Sequence, residues 1–177
     1  MSFDFSPRLS GQLVSLRPIQ AADFDDLYAV AADPLIWEQH PAKDRHEAAQ
    51  FQEFFGKALE ANALLVIDSA TRQIIGSSRY HAYDETTREV EIGWTFLSRT
   101  YWGGAYNGEI KQLMLRHAFA FVDRVIFLVG EDNTRSQKAV EKIGGRRAGS
   151  RADASGNASY VYEITREMFA DMRLPPA

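Results

Sequence analysis

Thr100-Tyr101-Trp102-Gly103-Gly104-Ala105-Tyr106-Asn107 is the stretch on which the reading of the fold turns. Ahead of it, Val90, Ile92, Trp94 and Phe96 alternate with Glu89, Glu91, Gly93 and Thr95, the period of a strand with one apolar face and one polar, locally bare face. Behind it, Ile110, Leu113, Met114, His117, Ala118 and Phe121 recur at helical spacing, which predicts a helix of roughly four to five turns from about Ala105. The octapeptide therefore carries a strand directly into a helix N-terminus. Unpaired backbone N–H groups and the positive end of the helix dipole make such a junction an anion site, and two glycines with an alanine let a phosphate approach the backbone. A tight turn needing φ > 0 explains the same glycines, and on composition alone the two readings stand level.

Working toward the N-terminus, the polar turn Asp84 to Thr87 precedes this strand, and the runs Ala63–Ile67 and Ile74–Tyr83 read as an antiparallel hairpin across Asp68–Gln73. Two helices come earlier. One begins near Asp23 and buries Phe24, Leu27, Tyr28 and Ala31; the other carries Ala48, Phe51, Phe55, Ala58 and Leu59, with Asp44 and Glu47 resembling a capping box at its start. Leu13 to Arg17 forms the first strand, interrupted at Pro18. Toward the C-terminus, Val125–Val129 is a short apolar strand, and the strand, helix, strand order predicts a parallel pairing through a right-handed crossover. Asn133–Ile143 is a shorter helix stopped by Gly144-Gly145, followed by a hairpin turning at Asp153 to Asn157. No repeat or linker divides the 177 residues, so one domain is expected over 1–177, with its core at about 10–168.

Composition removes several classes of function. The 20 basic and 24 acidic side chains leave a net charge of −4 without any Lys/Arg run, so neither nucleic acid nor a membrane surface is an expected partner. Without cysteine there is no disulfide, no thiolate nucleophile and no sulfur ligand for zinc. His40, His46, His81 and His117 lack any metal-ligand spacing, and no metal is expected. Met1-Ser2-Phe3-Asp4 has neither a basic nor an apolar signal region, and no apolar run is long enough for a bilayer, so a cytoplasmic location is expected. The two common nucleotide fingerprints also fail. No G-x-x-x-x-G-K-[ST] occurs, and the glycine turn sits mid-chain after an antiparallel meander rather than opening the domain.

The order β-α-α-β-β-β-α-β-α-β-β, over about residues 10–168, resembles the GNAT N-acetyltransferases, in particular the branch of ribosomal-protein N-terminal acetyltransferases. That family carries Gln/Arg-x-x-Gly-x-Gly/Ala; Gly103 and Ala105 fill its last two defined positions, while Thr100 replaces the Gln/Arg. Tyr-Trp-Gly-Gly-Ala-Tyr is similar to the Tyr-Trp-Gly-Lys-Gly-Tyr of the ribosomal branch, and Glu109 matches its helix. Asn133-Thr134-Arg135-Ser136 followed by Glu141-Lys142-Ile143-Gly144 resembles a second signature, although Asn133 also suits a plain helix cap.

The resemblance implies an α+β, three-layer fold: a mixed, mostly antiparallel sheet of about seven strands, helices on both faces, and a V-shaped splay between the fourth and fifth strands. It implies acetyl-CoA as cofactor, with the pyrophosphate on the turn Trp102, Gly103, Gly104, Ala105, Tyr106 and Asn107, and with Asn133 orienting the cofactor or a water. The pantetheine amides would pair with Ile92, Trp94 and Thr95 as a pseudo-strand. The implied reaction is direct acetyl transfer, in a ternary complex, to the primary amine of a peptide N-terminus or a small molecule. A homodimer is the family's plausible state.

Such a transfer needs a neutral amine. At pH 7 deprotonation costs roughly 1 kcal/mol for an α-amine of pKa about 7.7–8.0, but roughly 4.6 kcal/mol for a lysine near 10.4. Glu91, on the polar face of the strand beside the thioester, is the candidate base; a solvated or ion-paired carboxylate next to Arg88 and Glu89 is the competing reading. Many family members place a thiolate-protonating tyrosine where Val140 stands, which leaves Ser136 as the candidate catalytic acid. Trp37, Glu38, His40, Arg79, Tyr80 and Tyr83 would frame the acceptor, with Trp37, His40, Tyr80 and Tyr83 as the candidate contacts. The missing tyrosine also keeps open a non-catalytic acyl-CoA sensor, and a purely structural domain remains a third reading.

Overall fold

A computed structural model describes residues 2–153 and 155–172. The ends of the expected 1–177 domain, and residue 154 of the expected last turn, lie outside the described residues. The strands are β1 (Leu9–Ser10), β2 (Val14–Pro18), β3 (Leu64–Asp68), β4 (Ile74–Asp84), β5 (Glu89–Leu97), β6 (Arg124–Gly130), β7 (Arg146–Ala152) and β8 (Ala158–Thr165). The helices are α1 (Phe24–Ala31), α2 (Ala48–Glu60), α3 (Ala105–Ala118), α4 (Thr134–Lys142) and α5 (Arg166–Asp171). They build one sheet in the order β1-β2-β3-β4-β5-β6-β8-β7, antiparallel except where β5 meets β6. The eighth strand, one more than the sequence suggested, is the two-residue β1 at the edge, too short to show a period. The fourth and fifth strands of the sequence reading are thus β5 and β6.

Two cores flank the sheet. Val90, Ile92 and Leu97 of β5 pack with Ile110, Met114 and Ala118 of α3, while Phe96 packs on the other face with Leu27, Trp37, Phe51 and Phe55 around α1 and α2. The unbroken apolar face expected from Val90, Ile92, Trp94 and Phe96 is therefore wrong. Ser77 pairs with Phe96 but Arg79 with Gly93, so Trp94 and Thr95 together oppose Ser78, and Trp94 takes a left-handed φ of 51°. This β-bulge inverts the alternation. Ahead of it Glu91 and Gly93 face α1 and α2; beyond it Trp94 and Phe96 do so, and Thr95 turns toward α3.

The capping box expected at Asp44 and Glu47 is also absent. Lys43–His46 wind into a 3-10 turn in which the Asp44 carbonyl accepts from Glu47 N–H, and α2 starts only at Ala48 without a side-chain cap. Glu109 of α3 has a clear structural task. Its carboxylate accepts from the backbone N–H groups of Gln12, Leu13 and Val14 at 2.9, 2.7 and 2.8 Å, which pins α3 across the start of β2.

Candidate functional site

β5 and β6 pair in register only at Glu89–Arg124, Val90–Val125 and Glu91–Ile126, yet they run on to Leu97 and Gly130. Beyond Ile92 the two strands leave a gap. A cavity of about 300 Å³ fills it, walled by Ile92–Thr95 on one side and Phe127–Gly130 on the other, with Val140 of α4, Lys111 of α3 and His40 closing it. A second cavity of about 490 Å³ runs from Thr95–Leu97 past Trp102, Gly103 and Gly104 to Ser136 and Lys142. The two share Trp37, Thr95, Asn107, Asn133 and Ser136, so they form one groove leading from the glycine turn into the gap.

The turn has the backbone that its composition suggested. Gly103 and Gly104 have φ of 110° and 125°, values that L side chains rarely adopt, and Gly104 stands at the N-cap of α3 with no side chain to satisfy the first-turn N–H groups. Positive charge gathers there as well. Lys142 Nζ donates to the Gly103 carbonyl at 3.0 Å, and the Arg135 guanidinium lies 4.1 Å from the centroid of the Trp102 ring. The Trp102 indole N–H is fixed on the Leu97 carbonyl at 3.0 Å. Asn107 reaches both cavities, but the side chains of Ala105 and Tyr106 reach neither. The Tyr106 hydroxyl instead donates to Asp68 Oδ1 at 3.2 Å.

Glu91 lies 6% exposed at the mouth of the gap. Burial pushes its pKa up to about 7, against the opposing pull of Arg151 and Arg79. Its neighbours take the ion pairs: Glu89 binds Arg124, and Arg88 binds Asp123, whereas Glu91 forms none among the described residues. Arg79 is 8% exposed, stacks on Trp94 with its guanidinium 3.6 Å from the ring centroid, and leaves its Nε without a hydrogen-bond partner among the described residues. The Arg45 guanidinium stacks on Trp37 and Phe54, at 5.1 and 4.4 Å. Burial, reinforced by the Arg45 charge, lowers the pKa of His40 to about 4, and its Nδ1 accepts from Ala42 N–H at 2.9 Å. Trp37 is buried and donates its indole N–H to the Ala31 carbonyl at 2.8 Å. Asn133 caps α4 by accepting from Ser136 N–H at 3.2 Å, and both residues line the groove.

Residues 14–146 match the sequence model of the Acetyltransferase (GNAT) domain, most of the 177-residue chain. The chain belongs to the GNAT acetyltransferase family. That makes it an acyltransferase, of a family whose acyl donor is acetyl-CoA. Solved GNAT structures share its fold. An acetyltransferase of the family from Bacillus anthracis is 22% identical, with a TM-score of 0.73 over 91% of this chain and 99% of its own. A GCN5-related N-acetyltransferase from Brucella melitensis is 18% identical, with a TM-score of 0.83 over 96% and 83%. The spermidine N-acetyltransferase from Vibrio cholerae, in complex with CoA and spermine, is 14% identical, with a TM-score of 0.65 over 91% and 100%. Among curated proteins, none matches the sequence.

Within the GNAT frame, Glu91, Ile92, Trp94, Thr95, Trp102, Gly103, Gly104, Asn107, Asn133, Ser136, Trp37 and His40 converge on the groove. Tyr80 and Tyr83 do not. Arg79 faces Trp94 on the α1 and α2 side, so the next residue, Tyr80, points to the opposite core, where it is 1% exposed and donates its hydroxyl to the Met114 carbonyl at 2.7 Å. Tyr83 packs against the same core beside Phe3. Sequence reasoning passed over Arg45, which lines the gap, and also Lys111, 4% exposed at its floor. The one signal of Lys111 was a cation beside Ile110 within the inward stripe of α3.

Proposed function

We propose that this single-domain GNAT protein is an acetyl-CoA-dependent N-acetyltransferase that acts on a primary amine by direct attack in a ternary complex. The observation that carries this is Glu91: a buried carboxylate with no ion pair among the described residues, titrating near neutrality, at the mouth of a gap that opens into an anion-suited glycine turn. A base is most effective when its pKa lies near the working pH.

The groove suits CoA on its own features. The bare φ > 0 glycines, the uncapped first turn of α3 and the charges of Lys142 and Arg135 suit a diphosphate, and the exposed edge of Ile92–Thr95 suits an amide-bearing arm. Bound there, acetyl-CoA supplies the acyl thioester. Glu91, directly or through water, takes the proton that the neutral acceptor amine sheds as it attacks. The backbone amides around Trp94 and Thr95 polarise the carbonyl, Asn133 orients the cofactor end, and Ser136 or solvent returns a proton to the thiolate. Val140 supplies no proton, which slows the reaction without stopping it.

Trp37 and His40 line the acceptor side. That side carries Arg45 and Arg79, and the charge of Arg79 helps to lower the Arg45 pKa to about 10, after burial itself. With Glu91 and Asp153 in the same lining the cavity is of mixed charge, and the low cost of deprotonating an α-amine near pH 7 favours a peptide N-terminus or a small monoamine of similar pKa as acceptor.

The test is thiol release from acetyl-CoA with peptide, monoamine and polyamine acceptors, alongside calorimetry of CoA binding. Binding with release on an α-amine is expected. Binding with no release on any acceptor sinks the enzyme in favour of an acyl-CoA sensor, the reading that Val140 favours.

A further inference from the structure

Lys111 has no part in the mechanism above, yet it lies in the wall of the same gap. Its Nζ donates to Ser78 Oγ at 3.4 Å and to Thr95 Oγ1, and those two hydroxyls are 2.7 Å apart. No carboxylate pairs with it among the described residues. Burying a lysine among apolar neighbours is costly, and desolvation pushes its pKa down to about 7. Ile110 and Met114 show what that helix face accepts without such a cost.

The donors and acceptors of the cluster do not balance. An ammonium has three N–H groups, and two of them go to hydroxyl oxygens. Ser78 and Thr95 have one O–H each, and one of these is spent on the other residue. When the amine is protonated, one N–H and one O–H remain unspent among the described residues, together with a positive charge, and Lys111 and Thr95, though not Ser78, line the cavity with the apolar Ile92, Phe127, Val129 and Val140. The complement of two free donors and a charge is a group that only accepts and is negative: a carboxylate.

The bulge at Trp94 decides where such a group would sit. It turns Thr95 toward α3, away from the face that holds Glu91. An amine delivered on the Glu91 side leaves the Lys111 side for the tail of the acyl group. Resting on the proposed CoA site, we infer that Lys111 and Thr95, held in place by Ser78, form a carboxylate-binding acyl subsite. The enzyme then accepts CoA thioesters of short dicarboxylic acids as well as acetyl-CoA. In the transfer the amine forms the new N–C bond and the C–S bond breaks. The amine proton passes to Glu91, the departing thiolate takes up a proton, and the tail carboxylate is unchanged.

The test needs no acceptor. CoA, butyryl-CoA and succinyl-CoA are titrated into the protein by calorimetry; the two acyl groups match in length and differ in a terminal methyl against a carboxylate. Succinyl-CoA is expected to bind more tightly than butyryl-CoA by roughly tenfold to a hundredfold, the range of a charge-assisted hydrogen bond. Lys111→Met is expected to erase that ratio. Equal affinities in the wild-type protein overturn the subsite while leaving the CoA site standing, even if the variant fails to fold. No binding of CoA itself overturns both.

Discussion

Gly93 keeps clear the space beside the Glu91 carboxylate: a Cβ built on Gly93 would lie 3.1 Å from Glu91 Oε1. That is tighter than ordinary van der Waals contact, so a methyl group there displaces the carboxylate by a few tenths of an ångström. Gly93→Ala is expected to lower turnover while CoA affinity stays within a few-fold. Glu91→Gln is expected to cost about 10²- to 10⁴-fold in kcat/KM, the usual worth of a positioned base. Steady-state kinetics with calorimetry check both. Unchanged turnover in Glu91→Gln removes the base from the mechanism.

The pH profile carries the same signature. Burial holds the Glu91 pKa at about 7, and a base works only when deprotonated, so kcat/KM is expected to rise as pH increases through that value. An α-amine acceptor adds a second rise at about 8. In Glu91→Gln the lower limb should vanish and the upper one persist. A variant that keeps both limbs assigns the lower one to another group.

Much of this site was legible because its signals are local. The glycine turn and the Asn133 cap are set by residues adjacent in sequence, and the structure gives both the expected backbone. What failed to show were features set by a partner strand. The Trp94 bulge exists because β4 and β5 are out of register by one residue, and no period within β5 reveals that. The same holds for Tyr80, whose inward direction follows from its place opposite Ile92. Lys111 reads as an ordinary helix cation until α3 is laid on the sheet. Glu109 illustrates the converse: the family motif marked it, but its role in holding the N–H groups of Gln12 to Val14 appears only in three dimensions.

The glycine turn yields a prediction about the cofactor alone. Gly104 has a φ of 125°, and any Cβ there also meets Lys142 Nζ. The lysine is flexible and can withdraw, so the larger costs are backbone strain, of order 1–3 kcal/mol, and a loss of complementarity to phosphate. Gly104→Asp is expected to weaken CoA by more than tenfold, strain and charge acting together. Lys142→Ala, which leaves the backbone unchanged, is expected to weaken it by a few-fold and to flatten its salt dependence. Calorimetry at low and high salt separates the two. A Gly104→Asp protein that is folded and binds CoA normally moves the phosphate site elsewhere.

The last prediction concerns the cost of keeping Lys111 where it is. Its folded-state pKa of about 7 lies below the ordinary lysine value of 10.5. Above the unfolded value both states are neutral and the group costs nothing. As pH falls from about 10.5 to 7 the unfolded chain binds a proton that the folded protein resists, so the cost grows across that window and levels off below it. At full strength it is on the order of a few kcal/mol, partly offset by the hydrogen bonds to Ser78 and Thr95. Lys111→Met fills the site without a charge. It is therefore expected to be more stable than the wild-type protein at pH 7, with the gap narrowing as pH rises toward 10, read by urea unfolding at the two pH values. A gap that stays constant would mean that Lys111 is hydrated in the folded protein, and the donor count at the gap would then include water. A gap that narrows identifies a residue kept at the expense of stability, as expected of one retained for a ligand.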